Sequence, residues 1–341
     1  MGVAISELIE RENLDLDILD SRKIGFDSYN IIYQFLSSIR SYDGTPLMDS
    51  RGNVTSHLTG LLYRTTNLIE KGIKPVFVFD GKPNKLKEKT QKERSRIRTE
   101  ATEKHEKAIK EGNLEEAKKF GSRALKLTPP MVEDAKTLLS LMGLPVIEAP
   151  QDGEAQLSYM NSKNDIYACA SQDYDCLLFG APLLFRNVTV SGKRKVPGRD
   201  YYIEVKPEKI ELRKALGALE IDRRKLVWLG ILIGTDFNDK FPHIGPKTAI
   251  RLVKKHDSFE DIIKDTKHEP DFDYRKIEKI FMEPMKTDAY TIEFGEPDKD
   301  KILEFLCDKH DFSKERVGNT IDKLTEKMNE KGSQQDLSKW F

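Results

Sequence analysis

The sequence is poor in cysteine and in long apolar runs, and it has no net charge. Its 341 residues hold three cysteines and two tryptophans, and 57 Lys and Arg balance 57 Asp and Glu. Cys169, Cys176 and Cys307 show neither disulfide nor metal-ligand spacing. That excludes a disulfide-stapled scaffold and a thiolate zinc site. It suits a reducing intracellular setting, cytoplasmic or nucleoid, or nuclear in a eukaryote. The longest apolar run, LVWLGILIG (226–234), falls far short of the roughly 20 residues a bilayer requires, so no membrane partner is expected. The opening MGVAISELIERENLDLD carries acids where a secretory signal needs an apolar core. A balanced total charge argues weakly against nucleic acid, but the distribution reverses that argument. Residues 82–110 hold eleven Lys or Arg against five Glu, an excess of six, and local asymmetry matters more than the total.

What is present reads as an α/β protein large enough for a sizeable core. KIGFD (23–27), KPVFVFD (74–80), PVIEA (145–149) and IYACAS (166–171) have the composition of buried strands. Helical periodicity lies between them, at 28–40, 57–72, 129–143 and 153–163. Such alternation predicts a mostly parallel central sheet flanked by helices. Residues 1–81 and 128–330 make up the core. The charged stretch 82–127 interrupts it as a helical excursion. Residues 208–263 read as all-helical from EKIELRKALG onward, with a helical element over 228–263, and 331–341 form a tail.

Acids gather where the strands end. Asp27 ends the first strand and Asp80 the second; Asp152 and Glu154 follow the third; Asp173 and Asp175 follow the fourth. On an extended backbone Asp173 and Asp175 share a face. In a parallel sheet all these positions fall at one edge, where open α/β sheets place their sites. Asp236, after the 226–234 run, is a seventh candidate. Any one of these acids reads most simply as a helix cap. Four strand ends together, two carrying acid pairs, favour divalent cations, because two like charges about 4 Å apart cost about 4 kcal/mol at an effective dielectric of about 20. Oxygen donors without Cys or His point to Mg²⁺ or Mn²⁺, and a pair of such ions suits displacement at phosphorus. Enzymes that use one Asp of such a pair as nucleophile share the pattern, and nothing singles out such an Asp here. Lys87, Arg94 and Arg98 fall on one helical face a few residues after Asp80. A solvated helix of Glu–Lys pairs accounts for residues 100–119, but less well for 82–98.

These residues carry a resemblance. MGV, FDSYNIIYQFL (26–36), TSHLTGLLYRT (55–65), GIKPVFVFDGKP (72–83), APQDGEAQ (149–156), SQDYDCLLFG (171–180), LIGTDF (232–237), IGPKTA (244–249) and the tail occur in family order. The chain resembles the flap endonucleases, structure-specific 5′ nucleases of DNA replication and repair, of the archaeal type. The resemblance implies a PIN-like 5′ nuclease fold with a helical arch over 82–127 and a helix–turn–helix at 244–256. It assigns Asp27, Asp80, Asp152, Glu154, Asp173, Asp175 and Asp236 to two metal ions, and Lys87 and Arg94 to the scissile phosphate. It assigns Gly2, Tyr33, Arg64, Gly245 and Lys247 to DNA, with K⁺ at the 244–249 turn. QQDLSKWF (334–341) fits a motif binding a sliding clamp of the PCNA type, through Gln334, Leu337, Trp340 and Phe341.

The sequence also departs from the pattern. Asp152 stands where the family usually has Glu, which retracts the oxygen by about 1.5 Å. His243 replaces the first Gly of the usual Gly-Ile-Gly, and a positive φ there is strained for His. AIS (4–6) stands where a second early Gly is usual. The implied function is 5′-flap endonuclease and 5′–3′ exonuclease action by a two-metal mechanism, in Okazaki-fragment processing and long-patch base excision repair. The alternatives are a clamp-tethered DNA-binding factor without catalysis, and a bubble-cutting repair nuclease of the same superfamily. The latter carry a long insertion where this arch is short.

Overall fold

The computed structural model describes residues 3–41, 44–121, 124–189, 192–195 and 202–337, the side chains of 192–195, 202–203 and 330–337 excepted. In chain order the elements are β1 (Glu12–Asn13), β2 (Lys23–Asp27), α1 (Ser28–Ser38), α2 (Ser56–Glu70), β3 (Lys74–Phe79), α3 (Glu88–Lys110), α4 (Leu114–Gly121), α5 (Pro129–Leu141), β4 (Val146–Glu148), α6 (Gly153–Ser162), β5 (Ala168–Ala170), α7 (Asp175–Leu178), β6 (Leu183–Arg186), β7 (Gly192–Lys195), β8 (Tyr202–Val205), β9 (Glu208–Glu211), α8 (Leu212–Leu219), α9 (Arg223–Ile233), α10 (Pro246–Lys255), α11 (Phe259–Thr266), α12 (Tyr274–Met282), α13 (Lys299–Leu303) and α14 (Lys314–Leu337).

One seven-stranded sheet runs β1-β9-β6-β5-β2-β3-β4. From β6 to β4 it is parallel, and β9 and β1 add an antiparallel edge. β2 and β3 read as near-continuous apolar runs because both their faces are buried. Successive residues of β3 point to opposite faces. Val76 and Val78 enter a core shared with α6, α7 and α9 to α12. Phe77 and Phe79 enter a second core shared with α1, α2, α5, α13 and α14. Phe26 of β2 stacks on Phe77, ring centroids 5.6 Å apart.

After β3 the chain enters two helices, α3 and α4, with no strand between them. α3 runs 23 residues, about 35 Å at 1.5 Å per residue. It folds back on α4, with small residues buried at the contact: Ala101 and Ala108 on one helix, Ala117 on the other. The His105 imidazole meets the Ala117 carbonyl at 2.7 Å.

Two expectations are corrected. Residues 208–211 are not helical: they form β9, paired with β6, and only Ile210 of the four is buried. A two-residue period with a single apolar position sits inside a charged stretch, and helical propensity masked it. β6 and the β7–β8 ribbon carry no strong strand signal in the sequence. Asp173 and Asp175 do not stand on a strand: β5 ends at Ala170 and Asp175 opens α7. The uninformative stretch 264–300 contains α12 and then an irregular strap. The Gln156 side chain of α6 exchanges hydrogen bonds of 3.0 and 2.9 Å with the Thr287 backbone of that strap.

Candidate active site

The site forms at the carboxyl ends of the parallel strands. Asp27 lies beside Val78 in the β2–β3 register, so Asp27 and Asp80 leave the sheet next to each other. The chain reverses after Asp80 through Gly81, where a Cβ would fall 2.0 Å from the Ala149 carbonyl oxygen. Only glycine allows that approach, and it brings β3 against the Pro150–Asp152 turn. Gly81 N–H donates to the Gln151 carbonyl at 2.7 Å.

Helix starts aim at the same place. Asp27 caps α1, accepting from Asn30 N–H at 3.1 Å. Asp80 accepts from Gly153 N–H, the first residue of α6, at 2.6 Å. Asp152 occupies the N-cap position of α6 and Glu154 its first turn. Asp175 opens α7 and accepts from Val3 N–H at 2.8 Å. Free N–H groups and the helix dipole partly stabilise these charges. Asp173 accepts from the Asn30 side-chain amide at 3.1 Å. Ser171 Oγ stands 3.2 Å from Glu154 and 3.4 Å from Asp27, and its single hydrogen serves only one of them at a time.

The acids perturb one another. Burial, and then Asp80, push the Asp27 carboxyl up to about 7. Burial, and then Asp236, push Asp175 to about 7. Burial and the charges of Asp175 and Asp27 hold Glu154 well above its ordinary value. Asp80 is raised in the same way, by the protein packed round it and by Asp152 and Asp236, against the Gly153 hydrogen bond and Lys87. Solvent reaches Asp80 and partly reaches Glu154, and at both the neighbouring carboxylates add to the effect of burial. All seven predicted carboxylates lie in this one network.

The base of the arch closes over it. Residues 90, 94 and 98 form the half-buried stripe of an otherwise exposed helix turn, continuing the line of Lys87. Lys87 pairs with Asp152. Arg94 pairs with Asp236 at 2.5 Å. Arg98 lies 5.2 Å above the ring of Tyr33. Burial alone would depress the Lys87 ammonium, but Asp152 foremost holds it above its usual value. Among the described residues no three Asp, Glu, His or Cys side chains already stand in an ion's grip. The carboxylates repel, and two of them turn to the arch cations. The donors are nonetheless all oxygen and crowded with like charge, a set that fits a hard divalent cation.

Other expected residues are placed as follows. Gly245 is the exposed N-cap of α10, with Pro246 at its first position and Lys247 exposed. Within 244–256, where a helix–turn–helix is expected, the structure has one helix, α10, entered by a turn. His243 has φ 60°, the left-handed conformation its place in the turn demands. Tyr33 is half-buried rather than part of the core. Arg64 donates to the Thr189 carbonyl at 2.7 Å and lies 5.7 Å over Phe35, which ties it to the framework. Gly2, Trp340 and Phe341 lie outside the described residues, as do the side chains of Gln334 and Leu337. Sequence reasoning missed Asn30 and Ser171. The Asp27–Asn30 capping spacing offered a signal for the first; Ser171 offered none.

The XPG N-terminal domain family matches residues 1–101, and the XPG I-region family matches 143–236. Flap endonuclease 1 of Thermococcus onnurineus is 51% identical over 342 residues, spanning all of this chain and 99% of that protein. The chain belongs to the flap endonuclease family. The solved flap endonuclease-1 from Methanococcus jannaschii superposes with a TM-score of 0.76 at 41% identity, covering 97% of this chain and all of that one. The catalytic core of Rad2 in complex with DNA substrate, at 22% identity, shares the fold, with a TM-score of 0.67 over 95% of this chain and all of that one. The flap endonuclease fold is thus the mixed sheet with flanking helices described above. No helix among the described residues is long and apolar enough to cross a membrane.

Proposed function

We propose that the chain is a structure-specific 5′-flap endonuclease with 5′–3′ exonuclease activity, acting on DNA with two Mg²⁺ ions, for which Mn²⁺ can substitute. One observation carries the reading: carboxylates from β2, β3, α6, α7 and the turn after α9 meet in one electrostatic network directly under the Lys87–Arg94 face of the arch. Acids under cations separate the two charges a phosphodiester site needs. Asp27, Asp80, Glu154, Asp173, Asp175 and Asp236 would hold the ions, with Asp152 reaching them through water because of its shorter side chain. Bound there, the ions would make the attacking water more acidic and offset charge developing at phosphorus.

The chain's own residues do the rest. Lys87 and Arg94 release their carboxylates and take the scissile phosphate, fixing it over the site. The N-terminus of α10, entered through Gly245 with Lys247 beside it, presents backbone N–H groups to a phosphate of the duplex. K⁺ at the 244–249 turn is part of this reading, with His243 already in the required backbone conformation. Tyr33 supplies a ring for a base at the junction, Arg64 is assigned to the 5′ strand, and the Gly2 amine is assigned a role close to the carboxylates. The tail engages a PCNA-type sliding clamp through Gln334, Leu337, Trp340 and Phe341. The task is removal of displaced strands in Okazaki-fragment processing and long-patch base excision repair. Incubating a 5′-flap duplex with Mg²⁺ or with EDTA tests the core of this. Mg²⁺-dependent incision near the junction supports it; binding without incision under both conditions leaves only a DNA-binding factor.

A further inference from the structure

A cleft of about 260 Å³ opens beside the carboxylates, and Asp152 lines both. It lies between the start of α6 and the outer side of α12. Its wall is apolar, built from Phe179, Ile280 and Met285. Phe179 is fixed against Phe281, ring centroids 4.8 Å apart, whereas Met285 is 58% exposed. Lys276, Lys279 and Glu283 form the rim. Lys276 pairs with Asp273 at 3.4 Å and Lys279 with Glu283 at 4.0 Å. All four side chains are largely open to water, so these pairs are weak and exchangeable.

We infer that this cleft seats the leaving strand. The unpaired nucleotide just beyond the scissile phosphate rests its base on the Phe179–Ile280–Met285 wall, and its 5′ phosphate lies beside Lys276 and Lys279. The inference rests on the flap-cutting reading above. Three features select a nucleotide over another occupant. The cleft is continuous with the carboxylate site through Asp152. An apolar face beside cations is how proteins hold single strands without reading sequence. The volume falls at or just below the lower limit usual for ligand pockets, which suits one base and not a bulkier ligand. A polarizable, exposed thioether adapts to any base.

The test uses full-length protein with Mg²⁺ and two substrates on the same duplex. One carries a flap of about five nucleotides. The other carries a single unpaired nucleotide with a 5′ hydroxyl, which offers no phosphate to the lysines. The variants are the double change Lys276→Ala with Lys279→Ala and, separately, Met285→Ala; all three sites are exposed. At subsaturating substrate, the ratio of flap rate to single-nucleotide rate should fall about five-fold or more in the double variant, as expected for the loss of charge-assisted contacts to a phosphate. An abasic residue next to the scissile phosphate should slow the wild type more than Met285→Ala. An unchanged ratio, or an equal abasic penalty in both proteins, overturns the assignment while the nuclease reading stands. A wild type that cuts neither substrate removes both.

Discussion

Glu154→Gln should stabilise the protein in EDTA, and Mg²⁺ should then stabilise the variant less than it stabilises the wild type. Ser171 Oγ lies 3.4 Å from an Asp27 oxygen and 3.2 Å from a Glu154 oxygen, so those two oxygens are at most about 6.6 Å apart. At an effective dielectric of about 20, that repulsion is worth about 3 kcal/mol. Asp175 adds to it and Lys87 offsets part. Glutamine keeps the shape and the hydrogen bond to Ser171 but removes the charge. A gain of about 1–3 kcal/mol without metal follows. With Mg²⁺ at about 100 times its dissociation constant, the wild type gains about 2.7 kcal/mol by mass action, while the variant, lacking a ligand, gains less. Urea unfolding at pH 8, followed by circular dichroism in EDTA and in Mg²⁺, reads both signs. If Glu154→Gln is less stable than wild type in EDTA, or if Mg²⁺ stabilises both equally, the account of crowded acids waiting for a cation is wrong.

Arg94→Ala should lower the single-turnover cleavage rate by ten-fold or more while changing duplex affinity little; a loss confined to affinity, measured by fluorescence anisotropy, argues against phosphate positioning. Gly81→Ala should cost at least about 1–3 kcal/mol and reduce cleavage, because the new Cβ would meet a backbone oxygen at 2.0 Å; an unchanged urea midpoint contradicts that close approach. His57 is fully buried, and burial lowers its pKa to about 4. The unfolded chain binds that proton at about pH 6.5, so stability should fall as pH drops from 6.5 towards 4, by up to about 3 kcal/mol. His57→Leu should flatten this part of the urea-midpoint profile, and parallel profiles would rule the histidine out. Deleting residues 334–341 should leave basal flap cutting intact and abolish stimulation by a sliding clamp; full stimulation of the truncated protein refutes the tail motif.

Much of the site was legible because its signal is local. An acid directly after a buried strand, as at Asp27 and Asp80, needs only the strand to be recognised, since a parallel sheet delivers every such end to one edge. The Lys87–Arg94 face follows from helical spacing alone. The partners of these groups were not legible. Asn30 meets Asp173 across 143 positions of sequence, and Ser171 joins Asp27 to Glu154 only once α6 and β5 are packed. β9 was misread because a four-residue strand with one buried side chain takes its identity from its neighbours β6 and β1.

By itself the sequence determined the alternation of strands and helices, the acids at the strand ends, the basic face of the arch and the turn before α10. These depend on periods of two and 3.6 residues and on the chemistry of single side chains. Only the tertiary structure decided that Lys87 and Arg94 close on Asp152 and Asp236, that Tyr33 lies under Arg98, and that a cleft beside Asp152 is walled by α12. Those contacts join segments far apart in the chain, and their energies exist only after the core has brought the segments together.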